Sequence, residues 1–188
     1  MLSVLLTGSI GVGKTTFFNT LPNLPGLIKI PEVAREILEQ NPEIRLNPAF
    51  QKMLLYRQLE LETAAAAQKP DVIICDRGYL DVIAYSKYFG ISFNTELTVR
   101  FKPYDLVFYC HPEGTPPLPA PIDGVVPIEG EKEAIDECIR QILADHVSHY
   151  YILRGHTEQR LAVFYSVMNK VTEGSLFREG QFRRSKER

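Results

Sequence analysis

Short apolar runs alternate along this chain with longer stretches in which apolar residues return at helical spacing. The runs are Val4–Thr7, Leu27–Ile30, Val72–Cys75, Leu106–Cys110 and Tyr150–Leu153. Each is continuous rather than alternating, as expected of strands covered on both faces of a parallel sheet. Helical patterns fill the intervals: Gly13 to about Thr20, Pro31 to Gln40, Asn47 to about Gln68, Tyr79 to Tyr88, Glu131 to about Ser148 and His156 to about Val171. Asn47 before Pro48 reads as a helix cap with proline at the first helical position. The alternation predicts an α/β fold, with helices on both sides of a five-stranded parallel sheet in three layers.

One stretch fits neither pattern. Pro112 to Gly130 holds six prolines and three glycines. A loop of this length inside a compact domain suits either an active-site lid or an unstructured connector. After Gly174 the chain turns polar and basic, with Arg178, Arg183, Arg184, Lys186 and Arg188. A frayed terminus or an interaction arm would read alike. The expected division is a domain over residues 1–173, with a Pro-rich lid at about 112–130, and a flexible tail over 174–188.

Composition changes this picture only by exclusion. A chain of 188 residues suits one domain with a sizeable core. The formal charge of −2 offers nucleic acid or an anionic membrane no global attraction, so any anion site must be local. No basic stripe is interleaved with aromatics, which argues against a nucleic-acid partner. The first apolar run lacks a basic leader and is too short to span a bilayer, so no membrane role is expected. Cys75 and Cys110 fall inside apolar runs, and with Cys138 they form no C-x-x-C pair. Buried, reduced thiols and a cytoplasmic setting are the expectation.

The chemistry begins at Gly8-Ser9-Ile10-Gly11-Val12-Gly13-Lys14-Thr15, which meets G-x-x-x-x-G-K-[ST] at every fixed position. A predicted strand precedes it, and Thr15-Thr16 opens a predicted helix. Glycines let successive backbone N–H groups turn inward to form an anion nest, and the helix adds its free amides and positive dipole end. Lys14 would reach the β- and γ-phosphates of a nucleoside triphosphate, and the Thr15 hydroxyl would ligate Mg²⁺. In Asp71-Val72-Ile73-Ile74-Cys75-Asp76-Arg77-Gly78, four buried positions end in a carboxylate at a strand terminus, where open parallel sheets bind ligands. Asp76 is the second metal candidate, and Arg77 offers donors for phosphate oxygens. Glu32, just past the second strand, either accepts a hydroxyl proton as general base or stabilises its helix electrostatically. Arg35, one turn later, touches substrate or pairs with a carboxylate. Asn169-Lys170-Val171-Thr172 lacks the aspartate of the N-K-x-D guanine reader and sits at a helix end, against guanine specificity.

Several segments then point to a family. Gly8–Thr16, Pro31-Glu32-Val33-Ala34-Arg35-Glu36, Asp76-Arg77-Gly78-Tyr79-Leu80-Asp81 with Ala84-Tyr85, Tyr104–Tyr109, Tyr151–Gly155 and Glu158-Gln159-Arg160 resemble P-loop kinases related to the ribosylnicotinamide kinase domain of bacterial NAD-regulator proteins. Such NadR-like chains are often described only as AAA-type ATPases. The resemblance runs from about Leu2 to Lys170, and P-E-V-A-R-E with D-R-G is its specific part. It implies a nucleoside/nucleotide-kinase-like fold, with Glu32 facing the acceptor hydroxyl and Asp76 and Arg77 serving Mg²⁺ and phosphate. It also implies that Gly155-His156-Thr157 lies near adenine. His156 reads more readily as a helix cap than as a catalyst. The chain departs from the pattern around Asp123-Gly124, where the resemblance implies arginine and Val125-Val126 follows instead. No Lys or Arg occurs from Pro103 through Glu131, so Lys132 or Arg140 would have to substitute.

The expected activity is transfer of the γ-phosphate of ATP, with Mg²⁺, to a hydroxyl of a nucleoside-like small molecule, ribosylnicotinamide being the first guess. Tyr56, Arg57, Tyr79 and Tyr85 are the acceptor-contact candidates, although helix packing explains the tyrosines equally. The alternative is a regulatory ATP-binding module, hydrolysing slowly and acting through a protein partner.

Overall fold

Residues 1–47, 49–92, 100–114 and 130–174 are described by the computed structural model. Strands β1 (Leu2–Thr7), β2 (Leu27–Ile30), β3 (Val72–Asp76), β4 (Leu106–Cys110) and β5 (Tyr151–Leu153) form one sheet in the order β2-β3-β1-β4-β5. Every pairing is parallel. The helices are α1 (Lys14–Thr20), α2 (Val33–Gln40), α3 (Phe50–Ala67), α4 (Tyr79–Tyr88), α5 (Glu131–His146) and α6 (Thr157–Val171), with a 3₁₀ turn at Pro42–Leu46. The predicted three-layer α/β/α arrangement is the observed one.

Strand alternation explains why the apolar runs are continuous. Val4 and Leu6 of β1, Ile74 of β3 and Phe108 of β4 pack on one face against Phe17, Phe164 and Met168 of α1 and α6. Leu5, Ile73, Cys75 and Val107 point the other way, onto Leu80 and Ala84 of α4 and Ile135, Ile139 and Leu143 of α5. Both faces are dry, so neither parity can be polar. Cys75 and Cys110 are free and buried, while free Cys138 is half-buried on α5. A smaller apolar cluster, Val33, Phe50, Leu54, Leu55, Val82 and Phe101, ties α2, α3 and α4 together beside the main core.

Asn47 does not take the expected cap position: α3 begins at Phe50 with Ala49 at its N-cap, and the Asn47 Oδ1 instead accepts the Ala49 amide at 2.8 Å ahead of the helix. Pro48, residues 115–129 and residues 175–188 lie outside the described residues, and with them most of the expected Pro-rich lid and basic tail. Among the described residues, no helix is long and apolar enough to cross a membrane.

The register brings the strand termini to a common edge: Leu6 is level with Asp76, Thr7 with Tyr109, and Ile30 with Cys75. The Gly8–Thr15 loop, Glu32, Arg77 and the Gly155 turn all leave the sheet at that edge.

Candidate active site

Gly8, Gly11 and Gly13 hold φ of 141°, 69° and 76°, which side-chain-bearing residues rarely adopt. At Gly8 a Cβ would also come within 2.6 Å of the Cys110 carbonyl, so β4 permits only glycine there. Lys14, the first residue of α1, is 4% exposed and donates from Nζ to the Ser9 carbonyl at 2.6 Å. Burial, with Arg77 nearby, lowers its pKa to about 8. Burial outweighs the nearby carboxylates of Glu32, Asp76 and Asp81, so phosphate oxygens would compensate this ammonium.

Next to it, the Thr15 hydroxyl donates to Asp76 Oδ2 at 2.8 Å. Asp76 Oδ1 is buried without a hydrogen-bond partner. Desolvation, then the charge of Glu32, pushes the Asp76 carboxyl above its ordinary pKa. A hydroxyl beside an orphaned carboxylate oxygen fits a magnesium ion, which takes one or two protein oxygens and completes its shell with phosphate and water. Among the described residues, no group of three or more His, Cys, Asp and Glu could hold a metal alone, consistent with that sparse donor set.

Arg77 follows β3 with φ 69°, a left-handed backbone that turns its side chain back over the sheet edge. Its guanidinium donates to Glu32 Oε1 at 2.7 Å, to the Gly8 carbonyl at 3.1 Å and to Asp81 Oδ1 at 3.2 Å. It also lies over the Tyr85 ring, 5.0 Å from the centroid. Glu32 occupies the N-cap position of α2 but makes no side-chain cap. Its other oxygen meets Arg35 Nε at 3.1 Å. Burial would raise the Glu32 pKa, but the charges of Arg77, Lys14 and Arg35 outweigh it and hold the carboxylate below the ordinary range.

The edge opens into a cleft of about 790 Å³. Sheet order divides it. On the β4–β5 side it is lined by Gly114, Gly155, His156 and Thr157; on the α2–α3–α4 side by Val33, Leu38, Phe50, Leu54, Val82 and Phe89. His156 caps α6 through its backbone, its amide donating to Gln159 Oε1 at 2.9 Å. Lys14, Thr15, Thr16, Glu32, Arg35 and Arg77 line the middle.

Of the acceptor candidates, Tyr85 alone lines the cleft. Tyr56 is 46% exposed, Arg57 pairs with Glu36 and Glu60 at the surface, and Tyr79 is stacked between Phe101 and Tyr104. Neither candidate for the missing lid arginine lines the cleft: Arg140 is half-exposed and pairs with Asp136 and Glu137. Lys132 is held nearby through its backbone, whose carbonyl accepts the Ser9 hydroxyl. The Val125-Val126 departure lies outside the described residues.

Sequence reasoning gave no role to three residues that shape the site. Asp81 is 2% exposed and accepts Thr7 Oγ1 at 2.8 Å, the Gly78 amide at 3.0 Å and Arg77. Its place three residues after the Gly78 cap was the available signal. Arg160, also 2% exposed, binds the Val12, His111 and Gly155 carbonyls, clasping the P-loop to the β4 and β5 turns. Arg45 lines the cleft from the 3₁₀ turn and pairs with Glu131 at 3.3 Å. No local pattern announces Arg45, and Arg160 stood in the Glu158-Gln159-Arg160 segment of the resemblance without a role.

A family model described as an AAA domain matches residues 3–160. A search of curated proteins returned no match. Among solved structures, thymidylate kinase from Candida albicans is 14% identical with a TM-score of 0.69, covering 95% of each chain. A deoxyadenosine kinase from M. mycoides, with dCMP and dCDP bound, is 14% identical with a TM-score of 0.58, covering 92% of this chain and 100% of that one. A NadR protein bound to NAD and AMP-PNP is 17% identical with a TM-score of 0.66, covering 92% of this chain. This chain spans 49% of that protein. At these identities the likeness concerns the fold, which is that of P-loop nucleoside and nucleotide kinases.

Proposed function

The chain belongs to the AAA domain family, and on that premise we propose that it is a Mg·ATP-dependent phosphotransferase acting on a hydroxyl of a nucleoside-like small molecule. The carrying observation is the convergence of Lys14, Thr15, Glu32 and Arg77 in one cleft, with Asp76 buried behind the Thr15 hydroxyl. The Gly114 and Gly155 turns flank these residues on one side and an apolar wall flanks them on the other. The kinase-fold neighbours support the same reading.

The P-loop amides and Lys14 hold the β- and γ-phosphates, while Gly155, His156 and Thr157 border the adenine. Thr15 and Asp76 hold Mg²⁺, which when bound neutralises charge on the phosphate oxygens. Glu32, kept ionised by Arg77, hydrogen-bonds the acceptor hydroxyl. As the acceptor oxygen bonds to the γ-phosphorus, the bond from that phosphorus to the β–γ bridging oxygen breaks. The hydroxyl proton passes to Glu32, and ADP leaves. Arg77 changes partners from Glu32 toward the transferring phosphoryl group. Ribosylnicotinamide is the first acceptor to try.

ADP release from Mg·ATP, measured against a panel of nucleosides and nucleotides, tests the proposal. One compound should stimulate release strongly, and Lys14→Ala should abolish it. Glu32→Gln should lower the stimulated rate by about 10²–10⁴-fold, the usual worth of a general base. A second reading, slow hydrolysis governed by a protein partner, draws on the absence of Lys and Arg from Pro103 through Glu131. Tight ATP binding with no acceptor stimulation would select it.

A further inference from the structure

The arginines lining the cleft are held in different ways. Arg160 grips three carbonyls, Arg77 bridges Glu32, Gly8 and Asp81, and Arg35 meets Glu32. Arg45 comes from the 3₁₀ turn, and its Nη2 meets Oε1 of Glu131, the first residue of α5, at 3.3 Å. The next residue, Lys132, accepts the Ser9 hydroxyl on its carbonyl at 2.5 Å. The Arg45 guanidinium is therefore tied to α5 one residue from where α5 touches the P-loop. It also bears on Tyr85, the phenol that lies under Arg77. Burial raises the Tyr85 pKa to about 12, and the charges of Arg77 and Arg45 both act against that rise. One cation thus stands between the P-loop rim and Arg77 without a part in the chemistry described so far.

We propose that Arg45 is a catalytic arginine of the transfer step, its guanidinium donating to non-bridging oxygens of the transferring phosphoryl group. The inference rests on the phosphotransfer reading above and assigns it one more residue. Among the described residues, the ion pair of Arg45 engages a single nitrogen of a group with five N–H donors. The rest of the fork can meet phosphate while Nη2 keeps Glu131. Exposure runs the same way, since the arginine side chain is 24% exposed and its glutamate partner 4%. Glu131, buried at the positive end of α5, is the fixed post, and Arg45 is the arm. During transfer, negative charge spreads over the equatorial oxygens of the phosphoryl group, and a planar fork can match two of them at once.

Calorimetric titration of the full chain with Mg·ADP, with and without aluminium fluoride as a mimic of the transferring group, tests this without any acceptor. Fluoride should tighten ADP binding by wild type about tenfold or more, as a transition-state mimic does. In Arg45→Met that gain should shrink to within about twofold, while ADP alone binds as before. Arg45→Lys keeps a charge beside Glu131 but not the fork, so it should melt with wild type and still lose most of the gain. In Glu131→Gln the arginine remains, and so should the gain. No gain in wild type, an undiminished gain in Arg45→Met, or loss of fold in both Arg45 variants overturns the proposal. An equal loss in Glu131→Gln also overturns it, because the ion pair would then be a structural strut. A raised KM for a phosphorylated acceptor, with kcat unchanged, would place Arg45 on the acceptor's own phosphate and overturn the assignment. A fluoride gain that needs Arg45, with no compound stimulating ADP release, would leave the inference standing and sink transfer to a nucleoside. Stimulated release undiminished in Arg45→Met would do the reverse.

Discussion

Lys14 carries its charge almost out of water, donating to the Ser9 carbonyl. Its folded pKa of about 8 lies below the ordinary 10.5, so below pH 8 the protonated side chain opposes folding. Between those values the folded chain releases the proton while the unfolded chain keeps it, and the penalty fades as pH rises. Lys14→Met should therefore be more stable than ligand-free wild type near pH 7, by roughly 2 kcal/mol, with the gap closing above about pH 10. Urea unfolding of both proteins across that range measures it. Asp76 behaves in parallel, since burial raises its carboxyl pKa and leaves Oδ1 bare. Asp76→Asn should fold at least as well, yet lose about a hundred-fold or more in Mg²⁺-dependent turnover, read from a magnesium titration of ADP release. Both residues were legible in the sequence because glycine spacing and a strand-end aspartate are local patterns. Arg160 was not: its role lies in the three carbonyls the fold gathers around it, and no spacing records that.

At the scale of elements, α6 does more than cover the sheet. Through Arg160 its first turn grips three carbonyls on three separate loops. Removing that charge leaves buried carbonyls without donors, so Arg160→Met should destabilise the chain by about 3 kcal/mol or more. It should also weaken ATP binding, since the P-loop and the β5 turn lose their common anchor. Thermal melts and nucleotide titration of the variant report the two effects separately. Helix positions were readable from apolar periodicity, but helix phase relative to the cleft was not. Tyr56, Arg57 and Tyr79 had suitable chemistry on suitable helices, and rotation about the helix axis turned them to solvent or core. Asp81 lies two residues beyond Tyr79 on α4 and faces Arg77.

For the whole molecule, alternating runs and helical patterns were enough to predict a parallel sheet with two covered faces. Strand order was beyond them. That β3 enters between β1 and β2 depends on crossovers spanning dozens of residues, and only this order sets Asp76 beside Leu6 and Thr15. Because the proposed nucleotide contacts draw on loops following β1, β3, β4 and β5, binding should stabilise the domain as a unit. Mg·ATP at about 100 times its Kd should add roughly 2.7 kcal/mol, or about 5–10 °C in Tm, against no change for Lys14→Ala under the same conditions. At the far end of the cleft, a Cβ on Gly114 would stand 2.6 Å from the Gly155 Cα, and the Gly155 amide donates to the Glu113 carbonyl at 3.2 Å. The two turns meet there main chain to main chain, and Arg160 clamps the His111 and Gly155 carbonyls beside them. Descendants of such a chain could redecorate α3 freely and change diet. They would inherit this seam unaltered, held by crowding and by the Arg160 clamp.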